Sequence, residues 1–225
     1  MMISRDDSGG ELVYVTPNIA LDPRARLIYL TKESLVPEDI LATTLSKVLE
    51  NNRVRHAVVA GYVAILFGRT RRSDDVDFLI EPLDESCFIK LAKEIASAGF
   101  KLMQGDIYSE TSVQKVFENY LRQGYGIRLM LDEQILPNIE LKIAETTIQN
   151  YAIANSYKVI INSEHHVRIS PLELQIAYKL YLGSDKDVGD AIFLYTLFRD
   201  VLDSDELRKW CTALHTDCSA LEAVQ

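Results

Sequence analysis

Cysteine is scarce in this sequence: 225 residues hold three, Cys87, Cys211 and Cys218, with no CxxC pair among them. That number is too small for a disulfide framework, and a reducing cytoplasm is the simpler expectation. Long hydrophobic runs are missing too. No stretch approaches 18 apolar residues without a charge, and the opening Met1-Met2-Ile3-Ser4-Arg5-Asp6-Asp7 is acidic rather than signal-like, so a soluble intracellular protein with no membrane partner is expected. Basic residues are the minority, 24 against 33 acidic, for a net charge of -9. A nucleic-acid partner would therefore need a local basic patch.

What is present is an ordinary globular composition, 48% hydrophobic and 25% charged, which excludes disordered, collagenous and coiled-coil classes. Such a chain can bury a core without help from disulfides or a structural metal. Leu12–Val15 and Leu27–Leu30 are β-rich and are separated by the turn-prone pairs Pro17-Asn18 and Asp22-Pro23, which suggests a hairpin or an edge ribbon. Pro37-Glu38-Asp39 opens a helix whose apolar face is Leu41, Leu45, Val48 and Leu49. His56–Gly61 and Tyr62–Gly68 read as strand, tight turn and buried helix. Asp84 is placed to cap a further helix, and Ile127–Leu131 is the most strand-like run in the centre. Residues 139–150 fit strand or helix equally. From Pro171 onward the pattern is helical, giving an α/β body over residues 1–169 and a helical cap over 170–225.

The chemistry concentrates in one stretch. Ala60-Gly61-Tyr62 marks a strand-to-helix turn, and Asp75-Val76-Asp77 follows after the loop Gly68-Arg69-Thr70-Arg71-Arg72-Ser73. Glycine at such a turn lets a ligand approach the backbone, and the amides there suit phosphate. Carboxylates at i and i+2 on a strand face one way, about 6–7 Å apart at their Cα atoms, a spacing suited to shared hard cations. Read alone, Asp-x-Asp is more often surface than metal site, and the arginines could simply neutralise the neighbouring aspartates.

Gly61-Tyr62-Val63-Ala64 with Gly68-Arg69-x-Arg71-x-Ser73-x-Asp75-x-Asp77-Phe78-Leu79 resembles the signature of the minimal nucleotidyltransferases of the DNA polymerase β superfamily. It is most similar to the branch of toxin and antitoxin enzymes and type IV abortive-infection toxins. Val167–Leu174, Lys179 and Lys186-Asp187-x-x-Asp190 extend the resemblance, which covers about residues 56–195. It implies an α/β (α+β) fold, a mixed twisted sheet flanked by helices with a C-terminal helical cap. It also implies Mg²⁺-dependent transfer of a nucleoside monophosphate from a nucleoside triphosphate to a hydroxyl on RNA, such as a tRNA end, on a partner protein, or on a small molecule. By this resemblance Asp75 and Asp77 hold two Mg²⁺ ions, Gly61 and Tyr62 bind the triphosphate through backbone amides, and Arg71, Ser73 and Lys179 face the nucleotide. Asp187 and Asp190 would hold the cap or orient Lys179 and Lys186. The family's third carboxylate aligns with Met130, which cannot ligate Mg²⁺, so Asp132, two residues on and on the same strand face, is the expected substitute. Without such an acid, the alternative is a catalytically degenerate protein that binds nucleotide or a partner.

Overall fold

A computed structural model describes residues 2–5 and 11–222. In chain order its strands are β1 (Met2–Arg5), β2 (Glu11–Thr16), β3 (Ile19–Asp22), β4 (Leu27–Leu30), β5 (His56–Val59), β6 (Asp75–Ile80), β7 (Phe100–Leu102), β8 (Ile127–Leu131), β9 (Gln134–Ile143), β10 (Tyr157–Ile161) and β11 (His165–Ile169). The helices are α1 (Pro37–Asn51), α2 (Gly61–Leu66), α3 (Glu85–Ser97), α4 (Glu110–Asn119), α5 (Thr147–Ala154), α6 (Leu172–Leu182), α7 (Asp185–Phe198), α8 (Ser204–Ala213) and α9 (Ser219–Glu222). Among the described residues the strands form one mixed sheet, in the order β1-β2-β3-β4-β10-β11-β5-β6-β9-β8-β7. The fold is thus a mixed α/β sheet with helices on its faces and a run of helices after the last strand. Among the described residues no helix is long and apolar enough to cross a membrane.

Local chemistry explains the element ends. Pro37 opens α1, and Asp84 caps α3 by accepting the Cys87 amide. The sheet then sorts side chains by parity. Val76, Phe78 and Ile80 of β6 enter the main core beneath α1, whereas Asp75, Asp77 and Leu79 face the other way. On that second face Leu79, Ala57, Ala144 and Ile153 make a small apolar cluster under α5. The main core continues without a break into Leu174, Leu194, Phe198 and Trp210 of the last helices.

Three expectations change. The two N-terminal runs do not pair directly, because β3 lies between them and all four of its residues are buried. These strands belong to the main sheet, joined by the parallel pairing of β4 with β10. Residues 139–150 divide into the end of β9 and the start of α5, so neither single reading holds for the whole stretch. Cys211 and Cys218, for which no disulfide is expected from the sequence, are bridged, with their Cα atoms 6.1 Å apart.

Candidate functional site

The site begins where β5 turns into α2. Ala60 makes the turn at φ 60° and ψ -134°, a strained conformation for a residue with a side chain. Its carbonyl accepts a hydrogen bond from Gln175 Nε2 at 2.7 Å, and Ser170 Oγ donates to Gln175 Oε1 at 2.9 Å, so α6 fixes the turn. Gly61 follows for a steric reason: a Cβ there would collide with the Arg71 guanidinium lying over it. Tyr62 points the other way. Its fully buried hydroxyl donates to Asp39 Oδ1 at 2.8 Å beneath α1, and burial with the Asp39 charge pushes the phenol well above 10. Only the backbone of Tyr62 lies at the turn, and its side chain takes no part in the site.

Asp75 and Asp77 share a face of β6, as strand parity requires. The strand beside them is β9, running parallel, with Asn138 opposite Asp75 and Glu140 opposite Asp77. Asp75, Asp77 and Glu140 each offer an oxygen within 4.8 Å of the other two. The third carboxylate within reach of the pair is Glu140. Asp132 is exposed in the turn joining β8 to β9, at φ 48°, and its carboxylate lies toward Gly99. Met130 pairs with Lys101 on β8, one strand further out. The expectation fails because β8 is not the neighbour of β6: the chain first reverses, and the return strand carries the acid. The alternation Ile139-Glu140-Leu141-Lys142-Ile143 is the signal that could have found it.

Charge in this cluster is uneven. Burial, and then the Asp75 and Glu140 charges, push the Asp77 carboxyl up to about 6, while Lys142 and Lys179 act in the opposite sense. Arg128, opposite Glu140 across the β8–β9 pair, donates Nη2 to Glu140 Oε2 and Nη1 to Asn138 Oδ1, both at 3.0 Å. Both of its terminal nitrogens also lie 3.4 Å from Asp75 Oδ2. Lys142 pairs with Glu140. An all-oxygen set of three acids, with one carboxyl held off its ordinary value by burial and by its neighbours, fits a hard divalent cation such as Mg²⁺.

The remaining expected residues gather around Asp190, which is fully buried on α7. Arg71 grips it with two bonds, Nε to Oδ1 at 2.9 Å and Nη2 to Oδ2 at 2.7 Å. Arg69 Nε lies 2.7 Å from Oδ1, close enough for an ion pair but off the line of a hydrogen bond. Lys179 lies 3.1 Å from the same carboxylate and 2.5 Å from Asp187, whose other oxygen accepts from Ser184 Oγ. Arg69 and Arg71 thus pair with α7 rather than with the aspartates that follow them in sequence. Lys179 is nearly inaccessible, so it acts on the site as a buried charge and not as a reaching side chain. Ser73 is half-exposed in the loop before β6, and Lys186 is exposed on the first turn of α7.

Beside the acids a cavity of about 410 Å³ opens between α5 and α6. Asp77, Glu140 and Lys142 line one part of it, and Gln149, Tyr178 and Tyr181 another. The two tyrosine rings lie 5.8 Å apart, centroid to centroid. A somewhat larger hollow of about 510 Å³, between β2 and α7, contains none of these residues.

No family model and no curated protein matches the chain. Among solved structures it is similar to an antigenic nucleotidyltransferase-like protein from Paracoccidioides brasiliensis, at 15% identity over 82% of this chain and 90% of that one, with a TM-score of 0.49. It is also similar to ANT(2″)-Ia in complex with adenylyl-2″-tobramycin, at 14% identity over 80% and 98% of the two chains, TM-score 0.49. A tRNA nucleotidyltransferase complexed with a primer tRNA and an incoming ATP analogue matches at 13% identity over 75% and 55%, TM-score 0.31. At these scores the likenesses assign neither an activity nor an acceptor, and the chain's own residues carry the reading.

Proposed function

We propose that this chain is a Mg²⁺-dependent nucleotidyltransferase that moves a nucleoside monophosphate from a nucleoside triphosphate to an acceptor hydroxyl. One observation carries the reading: β9 brings Glu140 to the pair Asp75 and Asp77, beside the cavity that Ala60 of the Gly61 turn also lines. In this reaction the acceptor oxygen attacks the α-phosphorus, the bond to the β-phosphate oxygen breaks, and pyrophosphate departs. Bound Mg²⁺ would make the hydroxyl more acidic and neutralise charge on the leaving phosphates. Asp75, Asp77 and Glu140 would hold the ions and fix their spacing. Arg71, held rigid by Asp190 above Gly61, and Ser73 would face the triphosphate. Asp132 has no role in this scheme. The cavity beside Asp77 and Glu140 would receive the acceptor.

The acceptor classes are an RNA end such as that of tRNA, a hydroxyl on a partner protein, and a small molecule such as an aminoglycoside. A toxin–antitoxin setting in the cytoplasm, with a cognate partner protein, follows from the family resemblance. We also propose that the division of labour lies at residues 169 and 170, with the α/β body holding the metals and the helical cap closing the cleft. The test is incubation with labelled nucleoside triphosphates, Mg²⁺ and a mixed RNA and protein extract. Transfer should occur, and Asp75→Asn, Asp77→Asn and Glu140→Gln should each reduce it by more than about 100-fold. Undiminished transfer by all three variants would refute the site. Nucleotide binding with no transfer under any condition would favour the non-catalytic alternative.

A further inference from the structure

Arg128 is the one group on β8 that enters the acid cluster, and it enters by register: strand pairing sets it opposite Glu140, on the face shared with Asp75. Its guanidinium does more than touch the rim. It lies 3.0 Å from one Glu140 oxygen and 3.4 Å from one Asp75 oxygen, so a single planar cation bridges two of the three acids. Asn138, itself buried and opposite Asp75 on β9, orients that plane by accepting from Nη1. Lys142, by contrast, makes its ion pair with Glu140 and acts on Asp77 only through its charge.

We propose, building on the metal-dependent reading above, that Arg128 is an internal counter-cation, and that metal loading is an exchange in which its guanidinium gives up Asp75 and Glu140. The charge balance supports this. Three clustered carboxylates repel one another, and a cation placed between them relieves that repulsion. A divalent ion seeking the same oxygens must displace the guanidinium or share them with a like charge. Once displaced, the side chain keeps Asn138 as a partner and carries a free positive charge beside the cleft. Arg128 is thus a positioning residue that raises the threshold for metal, keeping the acids ordered until the ion arrives.

The experiment is calorimetric titration of the full chain with MnCl₂ and MgCl₂, comparing wild type, Arg128→Met and Lys142→Met. Arg128→Met should bind the ions about tenfold more tightly or better, whereas Lys142→Met should change affinity less. A residue that merely supported the fold would weaken metal binding on removal, so unchanged or weaker binding by a folded Arg128→Met overturns the exchange. Failure of wild type and both variants to bind either ion would overturn the metal site itself and the proposed function with it. If Arg128→Met does not fold, wild type supplies the test: the Arg128 Nε–H resonance should shift on Mg²⁺ addition with the midpoint of metal binding. A resonance that stays in place while metal binds also overturns the proposal.

Discussion

His56 packs against Phe78 under α1 and is 1% exposed. Its Nδ1 lies 3.0 Å from the Val54 carbonyl, which can only accept, so Nδ1 carries the proton and Nε2 accepts from Ser46 Oγ at 3.2 Å. Burial holds this ring neutral, with its pKa lowered from 6.5 to about 4. Between those values the unfolded chain binds a proton that the folded chain refuses, so His56 withdraws stability as pH falls from 6.5 toward 4. The full effect is about 3 kcal/mol. His56→Gln should flatten the pH dependence of the urea midpoint in that window, and an unchanged slope would show that His56 is not held neutral. Residue identities were unevenly legible. Asp75 and Asp77 declare themselves through strand parity, a property of three adjacent positions. Glu140 sits in a legible strand alternation, but its place beside Asp77 depends on which strand lies next to β6, a pairing across more than 60 residues. Tyr62 misleads for a related reason: its position in the motif is at the turn, but its partner Asp39 lies on another helix.

Elements were more readable than residues wherever their ends carry their own chemistry. Pro37 starts α1 and Asp84 caps α3 as the sequence indicates, because both act within one turn of helix. β3 escaped because its four residues lie between two proline-containing turns, and its burial comes from β2 and β4 on either side. The N-terminal strands matter for the sheet. Ile28 stands opposite Val159 and Leu30 opposite Ile161, and Ile19, Leu21 and Ile28 are all buried. Burying three such side chains is worth more than about 5 kcal/mol, comparable with the stability of a whole domain. Deleting residues 1–30 would also leave β10 as an unpaired edge. The truncated chain should lose cooperative thermal unfolding and elute as large oligomers on size exclusion, whereas a stable monomer would show that these strands are an accessory.

At the scale of the whole molecule, one carboxylate joins its parts. Asp190 of α7 meets Arg69 and Arg71 from the loop before β6 and Lys179 from α6. Asp190→Asn would leave buried and half-buried cations without their common partner, a loss of about 3–5 kcal/mol. The urea midpoint should fall accordingly, and Asp187→Asn, which weakens the contacts to Lys179 and Ser184 but leaves both arginines paired, should cost less. Equal stability of Asp190→Asn and wild type would mean that the cations find other partners. The overall architecture was legible in outline because helix and strand periods alternate up to Ile169 and then only the helical period continues. The order of strands was not, since it depends on pairings between distant segments.

Those distant pairings bear on the order in which the protein is made. β4 waits for β10, β5 for β11, and β6 for β9, while Arg71 waits for Asp190. A ribosome that has released the first 100 residues has released Asp75 and Asp77 but neither Glu140 nor the partner of Arg71. Long-range sheet contacts of this kind form slowly and late. The acid cluster is therefore assembled only once β9 has followed β6, and a chain that stops short of Glu140 carries the motif without the site.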